Sequence, residues 1–270
     1  MNIAANRGMT SFIEARRPPW AALVWLCLIL AGGFLIQFLP VPAAGAPLEP
    51  PGFGYWLGTD LLGRDLGWRL LAGGARSLLV AAVAVTFSVI IGGVWGIAAG
   101  LGGNRVQAVL GRSMDVVLAV PALVLALLIL AALGPGDAAV MIAVGVGGAA
   151  TFARLARSAA ASIRPREFLQ AARALGAGGW RLAVRHVLPN IAGSLTAYAV
   201  LHFGWALVNA ASLTFLGFGG APSAPEWGRM LAEARLVFLQ APWQAAAPGL
   251  ALALTVLAVQ RCGEWWLEQA

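Results

Sequence analysis

The stretch RSLLVAAVAVTFSVIIGGVWGIAAG, residues 76–100, carries one charge in 25 residues, at its first position. A bilayer's hydrocarbon core is crossed by about 20 apolar residues of α-helix, so this run reads as a membrane span. Five further segments share its character: 20–39, 114–133, 137–160, 188–215 and 244–263. The whole chain agrees, being 60% hydrophobic and 11% charged with a mean hydropathy of +0.81. A soluble domain carries about 25% charged residues. The expected fold is an all-α membrane protein with six transmembrane helices. Gly92, Gly93, Gly96 and Gly100 include four-residue spacings of small residues, which let helix backbones approach closely. Pro121 and Pro189 mark kinks or helix starts, because proline has no N–H to give the helix ladder.

The net charge of +7 comes from arginine alone, since the chain contains no lysine. No basic run is interleaved with aromatics, so nucleic acid is not an expected partner. Arginines beside apolar spans set orientation instead. With the N-terminus inside, 13 arginines fall on the cytoplasmic side: Arg7, Arg16, Arg17, Arg105, Arg112, Arg154, Arg157, Arg164, Arg166, Arg173, Arg181, Arg185 and Arg261. Five fall outside (Arg64, Arg69, Arg76, Arg229 and Arg235), nearly balanced there by Glu49, Asp60, Asp65, Asp137, Glu226 and Glu233. Both termini are therefore expected in the cytoplasm. The organisation expected is a cytoplasmic segment 1–19, the first span 20–39, an outside segment 40–75, a five-helix core 76–263 with an inner loop at 161–187, and a tail 264–270. The first span is long for a signal peptide, although PAAGA at 42–46 has the small residues of a cleavage site. Cys27 and Cys262 lack metal-ligand spacing and are read as packing thiols.

Two outside stretches carry structure of their own. In LGTDLLGRDLGWRLLAGGAR (57–76), Thr59 and Asp60 are placed to cap a helix. In GFGGAPSAPEWGRMLAEARLVFL (217–239), a helix is expected from about Pro225, with Trp227, Met230, Leu231 and Ala234 on one face.

The inner loop is the most informative part of the chain. In PREFLQAARALG (165–176), Pro165 suits a first helical turn, Glu167 favours the positive end of the helix dipole, and Gly176 is a terminator. Such a helix is about 16 Å long, half a bilayer core, and cannot span. The i, i+3, i+4, i+7 spacing puts Phe168, Ala171, Ala172 and Leu175 on one face and Arg166, Gln170 and Arg173 on another. WRLAVRHVLP (180–189) repeats the pattern, with Trp180, Ala183, Val184 and Val187 opposite Arg181 and Arg185. Two readings stand at this level: a basic amphipathic loop resting on headgroups, or a helix whose alanines and glycine let another protein pack closely.

QAARALG followed by HVLP resembles the EAA loop of ABC-importer permeases, with Ala171, Ala172, Gly176, Leu188 and Pro189 matching and Gln170 in place of the leading Glu. GTDLLGRD (58–65), MDVVLAVP (114–121), REFLQAARALGA (166–177), RHVLPN (185–190), SLTFLGFG (212–219) and PEWGRMLAEAR (225–235) look like the signatures of the C-type permease of dipeptide, oligopeptide and nickel importers. The resemblance covers nearly all of the chain beyond the first span. It implies a type I ABC-importer permease bundle in the bacterial inner membrane. The partners implied are a second homologous permease, two cytoplasmic ATPase subunits and an extracytoplasmic substrate-binding protein. The short helix would then be the coupling helix, with Glu167, Gln170, Ala171, Ala172, Arg173 and Gly176 at the ATPase and Leu188 and Pro189 closing the loop.

Other chemistry is not indicated. A phosphate-binding GxxxxGK[ST] loop is excluded by the absence of lysine, so the chain is not read as an enzyme and ATP hydrolysis is expected in separate subunits. No cofactor or metal site is expected: His186 and His202 have no carboxylate or cysteine at ligand spacing. His202 and Asn209, seven residues apart on one face of the fifth span, are candidates for a solute path. Asp115, beside Arg112, reads as a cap or interfacial ion pair. An ion-gradient-driven secondary transporter is the rival reading, and it would need buried acids along its path, of which the spans offer essentially only Asp115 at an edge. Peptides rank first as solute and nickel or metal chelates second.

Overall fold

The computed structural model describes residues 18–221 and 223–269. Arg7, Arg16 and Arg17, and most of the segment 1–19, lie outside them. The described residues are helical, with one isolated bridge between Thr59 and Asp65. We number the helices α1 (Trp20–Leu35), α2 (Leu66–Leu101), α3 (Asn104–Ala119), α4 (Ala122–Leu133), α5 (Asp137–Ile163), α6 (Glu167–Ala174), α7 (Gly179–Phe215), α8 (Trp227–Ala234) and α9 (Trp243–Gln269). Four of these, α2, α5, α7 and α9, are long and apolar enough to cross a membrane unaided. A fifth crossing is available if α3 and α4, bent by 90°, count as one. The first expected span is a 16-residue helix continued by a 3₁₀ turn at Ile36–Phe38.

Three boundaries differ from the sequence expectation. The second span starts at Leu66, ten residues before Arg76, because Asp65 rather than Thr59 or Asp60 caps it: its carboxylate accepts from the Trp68 amide at 3.1 Å. The third expected span is not straight. Val120 is extended (φ −88°, ψ 127°), as a residue before proline prefers, and the chain turns there. In the fifth, Pro189 does not end the helix, since α7 runs on from Gly179 through a π-helical turn at Leu182–Val187. The wider turn falls just before the proline, whose missing N–H breaks the regular ladder, and Asn190 Nδ2 donates to the His186 carbonyl at 2.6 Å.

The bundle is built around α2 and α5, which run parallel in close contact. A Cβ at Gly92 would collide with the Ala149 carbonyl, one at Gly96 with the Ala153 carbonyl, and one at Gly100 would lie 2.7 Å from Ala160 Cβ. Glycine on one helix against alanine on the other brings the backbones together. Gly93 faces away into open space. α7 runs antiparallel across this pair, and α1 and α9 pack outside it, joined by Trp25 Nε1 donating to Thr255 Oγ1 at 3.0 Å. Cys27 is exposed on the outer side of α1, so it is not a packing thiol; Cys262 is half-buried.

Candidate functional site: a docking helix, an aromatic cavity and a locked far end

α6 hangs at the end of the bundle where α5 stops and α7 begins. Its C-terminus is a complete Schellman motif: the Ala177 amide donates to the Ala172 carbonyl at 3.0 Å and the Gly176 amide to the Arg173 carbonyl at 2.9 Å. Gly176 has φ +83°, a left-handed conformation that glycine adopts without steric cost. Gln170 Nε2 donates to the Pro165 carbonyl at 3.0 Å, tying the side chain back to the start of its own helix.

The faces of α6 differ from the expected ones. Leu169 is fully buried in a cluster with Ile97 of α2, Phe152 of α5, and Leu182, Val187 and Ile191 of α7. Ala172 and Ala177 pack against the same cluster. Ala172 therefore faces the protein itself, while Phe168 (42% exposed), Ala171 and Leu175 (89% exposed) form the outward strip, flanked by Glu167, Gln170 and Ala174. The register is fixed by Leu169, whose burial turns Ala172 inward and leaves Phe168, Ala171 and Leu175 outside. Glu167, Gln170 and Ala171 are thus accessible, Arg173 is half-buried, and Gly176 is exposed beyond the helix end. Leu188 and Pro189 are exposed in the first turns of α7 after its π segment. In 180–189 the correction is similar: Leu182 and Val187, five apart as a π turn requires, are buried, and Trp180 and Val184 are exposed.

A cavity of about 370 Å³ opens at the α3–α4 bend. Pro121 and Leu125 line one side; Thr151 of α5 and Tyr198, His202 and Trp205 of α7 line the other. The three rings form a column, with His202 stacked on Trp205 (centroids 4.6 Å apart) and on Tyr198 (5.8 Å). His202 is 6% exposed, and its Nε2 points at Gly148, where an added Cβ would collide with it. Asn209 does not join it, because it is absent from the lining and its amide donates to the Trp205 carbonyl at 2.8 Å. Hydropathy and motif matching do not single out Tyr198 and Trp205. The spacing 198, 202, 205, which puts three rings on one helical face, does.

The opposite end of the bundle is held by buried charge. Asp60 accepts from the Leu62 and Arg64 amides (2.8 and 2.9 Å) and from Arg64 Nε (2.6 Å), and pairs with the buried Arg69, which also reaches Glu233 at 2.7 Å. Burial alone would raise the Asp60 pKa, but those amide and Arg64 hydrogen bonds and the Arg69 charge outweigh it and hold it below its usual value. Thr59 Oγ1 donates to the Ala46 carbonyl and accepts from the Glu49 amide, so 42–46 is woven into this knot. Arg76 pairs with Asp137, which also accepts from the Gly220 amide at 2.8 Å. Trp227 is fully buried, its amide donating to Ser77 Oγ and its indole to the Leu70 carbonyl. Glu226 beside it is buried and makes no ion pair among the described residues, and its pKa is pushed up to about 7, chiefly by desolvation. Asp115 pairs with Arg154 of α5 at 2.8 Å rather than with Arg112, the α3–α5 packing having brought the former to it.

Residues 92–268 match the family model described as binding-protein-dependent transport system inner membrane component. This chain belongs to that family. As a permease it is similar to the di/tripeptide transport system permease of Pseudomonas aeruginosa, 42% identical over 78% of this chain and 69% of the relative. It is also similar to the glutathione transport system permease of Pectobacterium atrosepticum, 36% identical over 90% of this chain and 83% of the relative. The permease shares its fold with a chain from the inward-facing MetNI methionine ABC transporter, with a TM-score of 0.63 at 18% identity, covering 75% of this chain and 96% of that one. The permease is thus a multi-pass membrane subunit of a binding-protein-dependent ABC importer.

Proposed function

We propose that this permease forms half of a heterodimeric pore with a second, homologous permease, is driven by two cytoplasmic ATPase subunits, and receives dipeptides or other short peptides from an extracytoplasmic binding protein. Both termini and α6 face the cytoplasm of the bacterial cell in this reading, as the arginine distribution favours. The observation that carries it is the outward strip of α6. Phe168, Ala171 and Leu175 are exposed on a helix too short to span, while Leu169 fixes the same helix to α2, α5 and α7. A lever seated in this way passes rigid-body motion from an ATPase groove to the spans. The names of the peptide and glutathione relatives support short peptides as solute. The aromatic cavity at Thr151, Tyr198, His202 and Trp205 is where the solute path would run within this subunit.

Purification from native membranes tests the coupling. Ala171→Arg puts bulk and charge on the exposed strip and is expected to lose the ATPase subunits while keeping the second permease. Ala172 is the wrong position for this test, because it packs inward and bulk there would disturb the fold. Retention of the ATPases by Ala171→Arg would count against the docking face. Uptake of labelled dipeptide, tripeptide and nickel by cells carrying the wild-type importer then decides the solute, and uptake of nickel alone would overturn the peptide reading.

A further inference from the structure

An apolar groove of about 610 Å³ opens sideways between α2 and the first turns of α7, at the end of the bundle that carries α6. Gly93, Val94 and Ile97 line it from α2, and Trp180, Val184 and Leu188 from α7. Gly93 leaves it deep, with no atom within 4 Å of where its Cβ would stand. Trp180 is 79% exposed at its rim, the type of side chain that settles at headgroup depth. Arg181 and Arg185 directly follow the groove-lining Trp180 and Val184 along the same helix, and both are exposed. Among the described residues, neither makes an ion pair or a side-chain hydrogen bond. At the far end Arg64, Arg69 and Arg76 are paired with Asp60, Glu233 and Asp137, whereas Arg181 and Arg185, beside an apolar slot, have no such partner among the described residues.

We propose that this groove is a specific site for an anionic phospholipid of the cytoplasmic leaflet, with one acyl chain against Gly93 and Val184 and the phosphate held by Arg181 and Arg185. Guanidinium groups bind phosphate through forked hydrogen bonds, and basic pockets beside spans on the cytoplasmic side suit anionic headgroups. The leaflet assignment rests on the orientation in the proposed function; the site itself rests on the groove and its arginines. The bound lipid would sit on the π turn Leu182–Val187, the joint between the coupling loop and the span.

The test uses the intact importer purified with its partners and delipidated in mild detergent, titrated with phosphatidylglycerol or phosphatidylcholine. Phosphatidylglycerol is expected to raise Tm by about 5 °C more than phosphatidylcholine and to remain bound in native mass spectra. R181Q/R185Q removes the cations, and Gly93→Leu fills the groove from a position where an added Cβ meets no atom within 4 Å; each is expected to abolish the difference. Equal shifts from the two lipids in the wild type would overturn the proposal. So would an undiminished phosphatidylglycerol effect in Gly93→Leu, which would mean charge attraction at the surface with no seated chain. A cross-link from Val184→Cys to a partner subunit would overturn it too, by showing that protein fills the slot. ATPase subunits present or absent in the same preparations report separately on the importer reading.

Discussion

The two ends of this bundle are fastened by different physics. At the end bearing α6, contacts to the short helix are apolar and few: Leu169, with Ala172 and Ala177 behind it, and a backbone-only Schellman turn. At the opposite end, loops 42–65 and 217–239 are fixed to the spans by ion pairs to the buried Arg69 and by side-chain hydrogen bonds. The difference shows which segment is open to exchange with another protein. A loop whose polar groups are satisfied within the chain is a rigid part of its domain, whereas a helix held by one buried leucine keeps its other face free. Burying charge also commits the far end strongly, since removing one partner strands the other.

The largest expected effect is therefore at the far end. Arg69→Ala should cost about 3–5 kcal/mol, because Asp60 is left buried with one cation and Glu233 loses its link to α2. It is checked by thermal unfolding in detergent, and a loss no greater than that of a surface substitution would break the contrast between the ends. Leu169→Ala comes next, at about 2–4 kcal/mol, with α6 released from its cluster. Limited proteolysis should then cut within 164–178 at a lower protease dose than in the wild type.

A pH effect sharpens the comparison within the far end. The Glu226 carboxyl, with a folded pKa of about 7 against an ordinary 4.5, keeps its proton in the folded state when the unfolded chain has lost it. Its contribution is fully present below about pH 4.5 and is lost as pH rises through about 7. Asp60, lowered, acts in the opposite sense: its contribution is present above its ordinary value of 3.8 and is lost in acid. Glu226→Gln should flatten the Tm–pH curve between about 4.5 and 7 and leave the acid limb in place; an unchanged slope would remove Glu226 as its source. The smallest effect on stability is expected at Leu175→Ala, within about 0.5 kcal/mol, since the side chain is almost fully exposed. Its consequence should appear instead as faster loss of ATPase subunits on dilution.

Much of this protein is legible in its amino-acid order. Long apolar runs require helices in a bilayer, because backbone groups there must be satisfied within the segment, and α2, α5, α7 and α9 follow. The EAA-like stretch and its neighbours point to the family, since side-chain order along the chain is itself the signal. Faces are harder to read. Small-residue spacing puts Ala172 on the docking strip, but Leu169 turns it inward, and a π turn exchanges Trp180 for Leu182 on the buried side. Pro121 announces an interruption but not its 90° angle, and Asn209 shares a helix with His202 without sharing its cavity. The sequence by itself determined four long spans, the short helix and the class of machine, because hydropathy and capping act over a few neighbouring residues. Only the tertiary structure decided which face is free, which charges are locked and where an aromatic column meets a bent helix. Those outcomes depend on what α2, α5 and α7 place opposite each side chain, at sequence separations that no local pattern encodes.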